Sequence, residues 1–289
     1  MSAPQTKIVN FCPGGSFPSV SVTGSYCAEG CEHCKGRHLG HMACATTDEA
    51  LLAFAERVRE SGGEGALISG GCDSRGRVPI HPHLGAIRRM ADMGLKVNVH
   101  AGFLTTEQAE DLVRAGVGYF SVDVHQDPAV IGPVLHLDRK PEEYAGLLRT
   151  ILEAGGTLVP HLTAGFGTCD LVESAAVVKE AGLSKAVLLS LVPTPGTAFD
   201  FHSVSEETVL SAVDALLDRG FEITLGCMRD RSHRSLEREC ILRGVREIAN
   251  MSRDTIRWAE KNGYSVAESR ACCCVQAQNR DSVLSDRYP

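Results

Sequence analysis

The chain is poor in several features that would assign it a role at once. No uninterrupted apolar stretch approaches the ~20 residues that a membrane-spanning helix needs, so no membrane association is expected. Lys and Arg never form a run, and the formal net charge over 289 residues is −7. A dedicated nucleic-acid binder, whose affinity rests on neutralising phosphates, is therefore not expected either. The opening Met1-Ser2-Ala3-Pro4-Gln5-Thr6-Lys7 lacks the apolar core of a secretory signal, which predicts a cytoplasmic protein. Internal repeats and low-complexity segments are missing as well. Cysteine, by contrast, is plentiful: there are 12, crowded towards the two ends with the middle nearly bare. Without export, that number points to metal or sulfur chemistry rather than to disulfides.

From Ser19 onward, short β-type runs alternate with amphipathic helical runs. The candidate strands are Ser19–Thr23, Gly65–Ser69, Lys96–His100, Tyr119–Asp123, Thr157–Leu162, Lys185–Leu191, Glu222–Gly226 and Glu247–Ala249. The candidate helices are Asp48–Ser61, Leu84–Met93, Glu107–Ala115, Pro141–Ala154, Leu171–Ala181, Glu206–Arg219, Ser235–Arg243 and Arg253–Asn262. Thr46 with Glu49, and Thr105 with Gln108, read as capping boxes at helix starts. Val209, Val213, Leu216 and Leu217 share one helical face, and most helices stop at a glycine. Eight strand–helix units of this length predict an α/β fold, a complete (β/α)8 TIM-type barrel over 19–263. An N-terminal arm (1–18) and a cysteine-containing tail (264–289) would flank it.

Cys27, Cys31 and Cys34 form a C-x3-C-x2-C array in the longest strand-to-helix connection, 24–45. In a barrel this connection lies at the C-terminal mouth, where chemistry is done, and loops of such length are usually functional. Three thiolates without an obvious fourth ligand suit a [4Fe-4S] cluster that keeps one iron open. A structural zinc takes four closed ligands, and an electron-transfer cluster takes four thiolates. On spacing alone, a zinc knuckle completed by His38 or His41 is the alternative. Other strand ends add Gly70-Gly71-Cys72, where glycine admits close backbone approach, then His100, Asp123, His125 and His161. Cys227, Arg229 and Arg231 follow the seventh strand and suggest a second cluster or an anchor for an anionic group. Three adjacent cysteines, Cys272, Cys273 and Cys274, are poor candidates for ordinary packing; two should ligate and one be spare. Cys12, Cys72, Cys227, Cys272, Cys273 and Cys274 are thus the candidate ligands of an auxiliary iron–sulfur cluster. Cys44, Cys169 and Cys240 read as packing cysteines.

The triad, following the first strand of a strand–helix chain, resembles the signature of radical S-adenosylmethionine (SAM) enzymes. In that family the open iron is chelated by the amine and carboxylate of SAM, and a Gly-Gly-Glu after strand 2 binds the methionine amine. Here Cys72 stands in place of the Glu. The resemblance implies SAM contacts from Gly70, Gly71, His100, Asp123 and His161, with Gly165-Phe166-Gly167 as an adenine wall. Val20–Gly24 with the triad, Leu67–Cys72, the turn Pro193–Thr197, Leu225–Arg229 and Cys272–Cys274 together resemble biotin synthase-like proteins. They are most similar to components of the two-component, archaeal-type lipoyl synthases.

That likeness implies sulfur insertion into an octanoyl chain carried on a lipoyl carrier protein, with a partner lipoyl synthase component installing the other sulfur. SAM would be cleaved to a 5'-deoxyadenosyl radical after reduction by a low-potential donor such as ferredoxin or flavodoxin. The auxiliary cluster would be consumed as sulfur donor, and Arg229 and Arg231 would help to dock the carrier. Two elements of ordinary lipoyl synthase are missing from this sequence: the N-terminal three-cysteine motif and the terminal Arg-Ser-Ser-Tyr. The auxiliary ligands therefore rest on placement alone. The alternatives are another biotin synthase-like radical SAM enzyme of cofactor biosynthesis, and a non-catalytic iron–sulfur or zinc scaffold.

Overall fold

Each of the eight expected strands is a short run rich in Val, Ile and Leu, and all eight form in the computed structural model, which describes residues 6–200 and 204–275. In chain order the strands are β1 (Thr6–Phe11), β2 (Ser19–Ser21), β3 (Ala43–Cys44), β4 (Gly65–Ser69), β5 (Lys96–Val99) and β6 (Val117–Asp123). They continue with β7 (Thr157–Ala164), β8 (Lys185–Ser190), β9 (Glu222–Leu225), β10 (Glu247–Ala249) and β11 (Tyr264–Ser269). Every pairing between them is parallel. Parallel strands covered on both faces are apolar almost throughout, and β7 shows it, with seven of its eight residues buried.

The strand order is β11-β1-β10-β9-β8-β7-β6-β5-β4-β2-β3. This corrects the expectation of a complete barrel. Closure requires β10, the eighth expected strand, to pair with β2, the first. Among the described residues β10 pairs instead with β1, β1 pairs with β11, and β11 and β3 remain as edges. The result is a curled, open half-barrel. Residues expected as an N-terminal arm and a tail thus supply two of its strands; the rest of those segments, 1–5 and 276–289, lie outside the described residues.

Among the described residues nine α-helices accompany the strands: α1 (Asp48–Glu60), α2 (Leu84–Asp92), α3 (Thr106–Arg114), α4 (Pro128–Ile131) and α5 (Pro141–Glu153), then α6 (Thr168–Glu180), α7 (Glu206–Leu217), α8 (Leu236–Arg243) and α9 (Arg253–Lys261). The Thr105–Gln108 capping box is made in both directions. At α1 the cap is Thr47, not Thr46: Thr47 Oγ1 accepts from Ala50 N at 3.2 Å. One residue further on puts the hydroxyl opposite the free N–H group of the third helical residue. The short α4 was not anticipated, because four residues are too few to show a periodicity.

The main core lies between the sheet and these helices and contains Ile68, Val97, Phe120, Leu162, Leu188 and Leu225 from the strands. Full burial of each such side chain is worth about 1.5–3 kcal/mol. The opposite, concave face has its own smaller cluster of Phe11, Val159, Val187 and Ala249, and the occupants packed against them are Cys273 and Cys274. No described helix is long and apolar enough to cross a membrane.

Candidate functional site

The triad loop leaves β2 and is fastened to the loop after β4 by backbone geometry. Ser21 Oγ donates to Gly24 O at 2.7 Å and closes the first turn. Thr23 Oγ1 donates to Tyr26 O at 2.9 Å and accepts from Gly71 N at 2.7 Å. Ala28 N donates to Cys72 O at 2.9 Å. Gly71 has no room for a side chain: a Cβ there would lie 2.1 Å from Tyr26 O and 2.5 Å from Cys27 Cα. The obstruction is backbone on both counts, so the loop would have to move. Gly71→Ala is accordingly expected to cost about 1–3 kcal/mol and to lower the iron retained after anaerobic reconstitution. Iron analysis beside a thermal melt checks this, and unchanged iron content would show that the loop does not depend on the contact.

The far side of the loop is held as firmly. Cys31 Sγ donates to Leu135 O at 3.2 Å, Glu32 N donates to Val134 O at 2.8 Å, and Ala198 N donates to Glu32 O at 3.2 Å. His136 Nδ1 lies 2.8 Å from Glu29 O.

Within the loop, the donor atoms of Cys31, His33 and Cys34 all lie within 4.8 Å of one another. Hydrogen bonding from the Cys31 thiol, with His33 assisting, lowers the Cys34 thiol to about 4. The same bond, together with burial and the neighbouring charges of Cys34, Cys27 and Cys72, raises Cys31. A thiol pair in which one member is already a thiolate is primed for metal, since the thiolate is the ligand. Cys27 lies outside this close group but acts by charge on Cys31 and Cys72, and three half-buried thiols in one loop pinned on both sides fit a [4Fe-4S] cluster. His33 was overlooked in the sequence, although Cys31-Glu32-His33-Cys34 displays it; it stands nearer the thiols than the zinc reading had placed His38 or His41. Its Nδ1 is buried with no hydrogen-bond partner among the described residues. Phe166 stands edge-on to His33 at 5.5 Å and to His125 at 5.3 Å, so the Gly165–Gly167 segment does reach the triad loop. His125 itself is a scaffold residue, paired at 2.9 Å with the buried Asp170, whose other oxygen accepts from Gln126 N and Asp127 N.

His100, Asp123 and His161, expected as separate contacts to one ligand, meet each other instead. His100 Nε2 is 3.0 Å from Asp123 Oδ2, and His161 Nδ1 is 3.4 Å from Asp123 Oδ1. Burial alone would raise the Asp123 carboxyl, but the two imidazoles outweigh it and hold the group well below the usual carboxylate range. His161 Nε2 points the other way, to Cys274 Sγ at 3.3 Å.

The terminal cysteines corrected a further expectation. All three thiols of Cys272, Cys273 and Cys274 converge to within 4.8 Å, with none left over. A turn makes this possible: Val275 N donates to Cys272 O at 2.8 Å, which folds the run back on itself. Hydrogen bonds from Cys273 and Cys274 hold the Cys272 thiol well below its ordinary value.

The other auxiliary candidates are dispersed. Cys72 belongs with the triad: burial first, then the charges of Cys27 and Glu29, push its thiol up to about 12. Cys227 feels Cys272. Cys12, at the end of β1, has Glu268 and Asn10 as its electrostatic neighbours. Of the three supposed packing cysteines only Cys240 is buried; Cys44 and Cys169 are exposed.

Arg229 is not a docking group. It is 4% exposed and donates to Gly226 O, Ala249 O and Glu237, the last at 2.5 Å. The sequence shows its charge but not its distant carboxylate partner. Arg231 keeps 45% of its side chain exposed while donating to Asn250 O and Cys227 O.

The parallel half-barrel is a known fold. In fold the chain is similar to HydG, a maturase of the [FeFe]-hydrogenase, at 18% identity and a TM-score of 0.66, over 93% of this chain and 66% of HydG. Methylornithine synthase shares the fold at 12% identity and a TM-score of 0.62, over 90% of this chain and 84% of that one. In sequence it is similar to the biotin synthase of Halorhodospira halophila, 24% identical across 79% of this chain and 73% of that enzyme. The biotin synthase of Vibrio parahaemolyticus is 22% identical across 79% of this chain and 68% of its own length. No protein-family model matches the chain. The chain is thus similar in sequence to biotin synthases and shares the fold of HydG and methylornithine synthase.

Proposed function

We propose that the chain is a radical SAM enzyme that inserts sulfur into an octanoyl chain borne by a lipoyl carrier protein, as one component of a two-component lipoyl synthase. One observation carries this reading: two separate thiol groups are built into the same half-barrel, Cys31 and Cys34 at the mouth with Cys27 near enough to act on Cys31 by charge, and Cys272/Cys273/Cys274 on the concave face. When bound at the first group, a [4Fe-4S] cluster supplies an open iron for SAM and the electron for its reductive cleavage; at the second, an auxiliary cluster supplies sulfide.

The chain's own residues do the positioning. The Gly70-Gly71 backbone lies directly against the triad loop and offers polar groups to the methionine end of SAM. Asp123 and His100 stand at strand ends within reach of a ribose, and Phe166 gives a flat wall for adenine. The apolar lining of Phe11, Val159 and Val187 keeps water from the second thiol group and suits an acyl chain. Arg231 is left as the basic group for carrier docking. A ferredoxin or flavodoxin would deliver the electron.

The test is anaerobic incubation with SAM, reductant and an octanoylated carrier domain, followed by mass spectrometry. The expected product is a carrier heavier by a single sulfur, with the complete cofactor forming only when the partner component is added. Ready SAM cleavage with no gain in carrier mass would reject the substrate. The similarity to biotin synthases favours a second reading, in which sulfur enters a free small molecule and no carrier is needed.

A further inference from the structure

The thiols on the concave face lack a fourth cysteine. Cys72 sits with the triad, Cys12 beside Asn10 and Glu268, and Cys227, exposed at the end of its strand, feels the charge of Cys272 but lies outside the close group of three. The donor seen in direct contact with these thiols is an imidazole, His161 Nε2 at 3.3 Å from Cys274 Sγ. We propose that His161 is the fourth ligand of the auxiliary centre, which is then a three-thiolate, one-imidazole site of Cys272, Cys273, Cys274 and His161, with Asp123 orienting the ring. This rests on the reading that the terminal cysteines hold an iron–sulfur cluster.

Four observations meet here. The three Sγ atoms lie within 4.8 Å of one another, and His161 Nε2 is 3.3 Å from Cys274 Sγ. In β7, His161 is two residues from Val159, so both side chains leave the strand on the same face, and Val159 packs in the cluster that contains Cys273 and Cys274. Asp123 Oδ1 lies 3.4 Å from His161 Nδ1. Nδ1 has no hydrogen-bond partner among the described residues, so the carboxylate acts on the ring through its charge, which favours the proton on Nδ1 and leaves the Nε2 lone pair for the thiols. The run also enters from a fixed point, because β11 is paired with β1 along its whole length and Cys12 N donates to Ser269 O at 2.7 Å. In this arrangement His161 is a metal ligand and not an adenine contact, and Asp123 is a positioning residue for it. The same donor set also suits a single tetrahedral zinc ion, so the experiment must separate the two.

The chain to use is the full-length variant with Cys27, Cys31 and Cys34 all replaced by Ala, in which only the second site can load. After anaerobic reconstitution, iron, sulfide and zinc are measured, and the reduced protein is examined by pulsed electron paramagnetic resonance for the strong 14N coupling of a directly bound imidazole. The expected result is about four irons per chain with that coupling present. Adding His161→Gln should abolish the coupling and shift the reduction potential. Adding His161→Cys should keep the iron and lose the coupling, which preserves the test if the Gln variant folds poorly. Asp123→Asn should leave the coupling in place while shifting the potential. A loaded cluster whose spectrum and potential ignore His161→Gln overturns the ligand assignment and leaves the second cluster standing. Iron absent from the triple variant but present in wild type overturns the second cluster, and this inference with it. One zinc per chain that is lost on His161→Gln upholds the ligand set and overturns the cluster.

Discussion

Alanine at Cys27, Cys31 and Cys34 together is expected to abolish 5'-deoxyadenosine formation and to lower reconstituted iron from about eight to about four per chain. The fold should survive. The three side chains are only half-buried, and the loop is held by backbone bonds from Gly71, Ala28, Glu32 and Ala198 that the substitutions leave in place. Circular dichroism should therefore overlay that of wild type, while SAM turnover drops to background. The remaining iron is the informative half of the result. Retention of about four irons shows that the second site loads independently, whereas complete loss overturns the second cluster.

Replacement of Arg229 by Ala should have the largest effect on stability, about 3–5 kcal/mol, out of the ~5–15 kcal/mol by which a domain is stable. The guanidinium ties the loop after β9 to the loop after β10 through Gly226 O and Ala249 O, and neutralises Glu237. Glu237 is itself 7% exposed and also accepts from Ser252 N at 2.9 Å, so when Arg229 goes it keeps only the longer pair with Arg231, at 3.6 Å, and cannot turn to water. Arg229→Lys should recover little, since an ammonium lacks the fork that reaches several acceptors at once. The half-exposed Arg231 is the control: Arg231→Ala should change stability by less than about 1 kcal/mol and act on carrier turnover alone. Denaturant titration distinguishes the two, and an Arg229→Ala protein as stable as wild type would refute the buried anchor.

Much of this was legible before any coordinates. The helix-ending glycines mark each unit, and Gly62, Gly94, Gly116, Gly155, Gly182, Gly220, Gly244 and Gly263 all take positive φ, the conformation that stops a helix most cheaply at glycine. Local chemistry also placed the triad loop and the Gly70-Gly71 contact. What stayed hidden was non-local. β1 and β11 carry weak strand signals of their own, and it is β1 pairing with β10, with β11 added beyond it, that leaves the expected barrel open. Arg229 looked like a surface charge because Glu237 lies a helix start away. His161 looked like a SAM contact because nothing in the sequence brings it to Cys274, 113 residues later. The convergence of three adjacent thiols needed a turn that Cys272-Cys273-Cys274-Val275 does not announce.

The central claim is that the triad makes this chain cleave SAM reductively. Wild-type protein, reconstituted with iron and sulfide without oxygen, should be mixed with SAM and dithionite and its products separated by chromatography. Methionine and 5'-deoxyadenosine are expected in equal amounts, neither forming without reductant. Intact SAM recovered from protein that carries its full iron would contradict the claim and leave a metal-binding scaffold in its place.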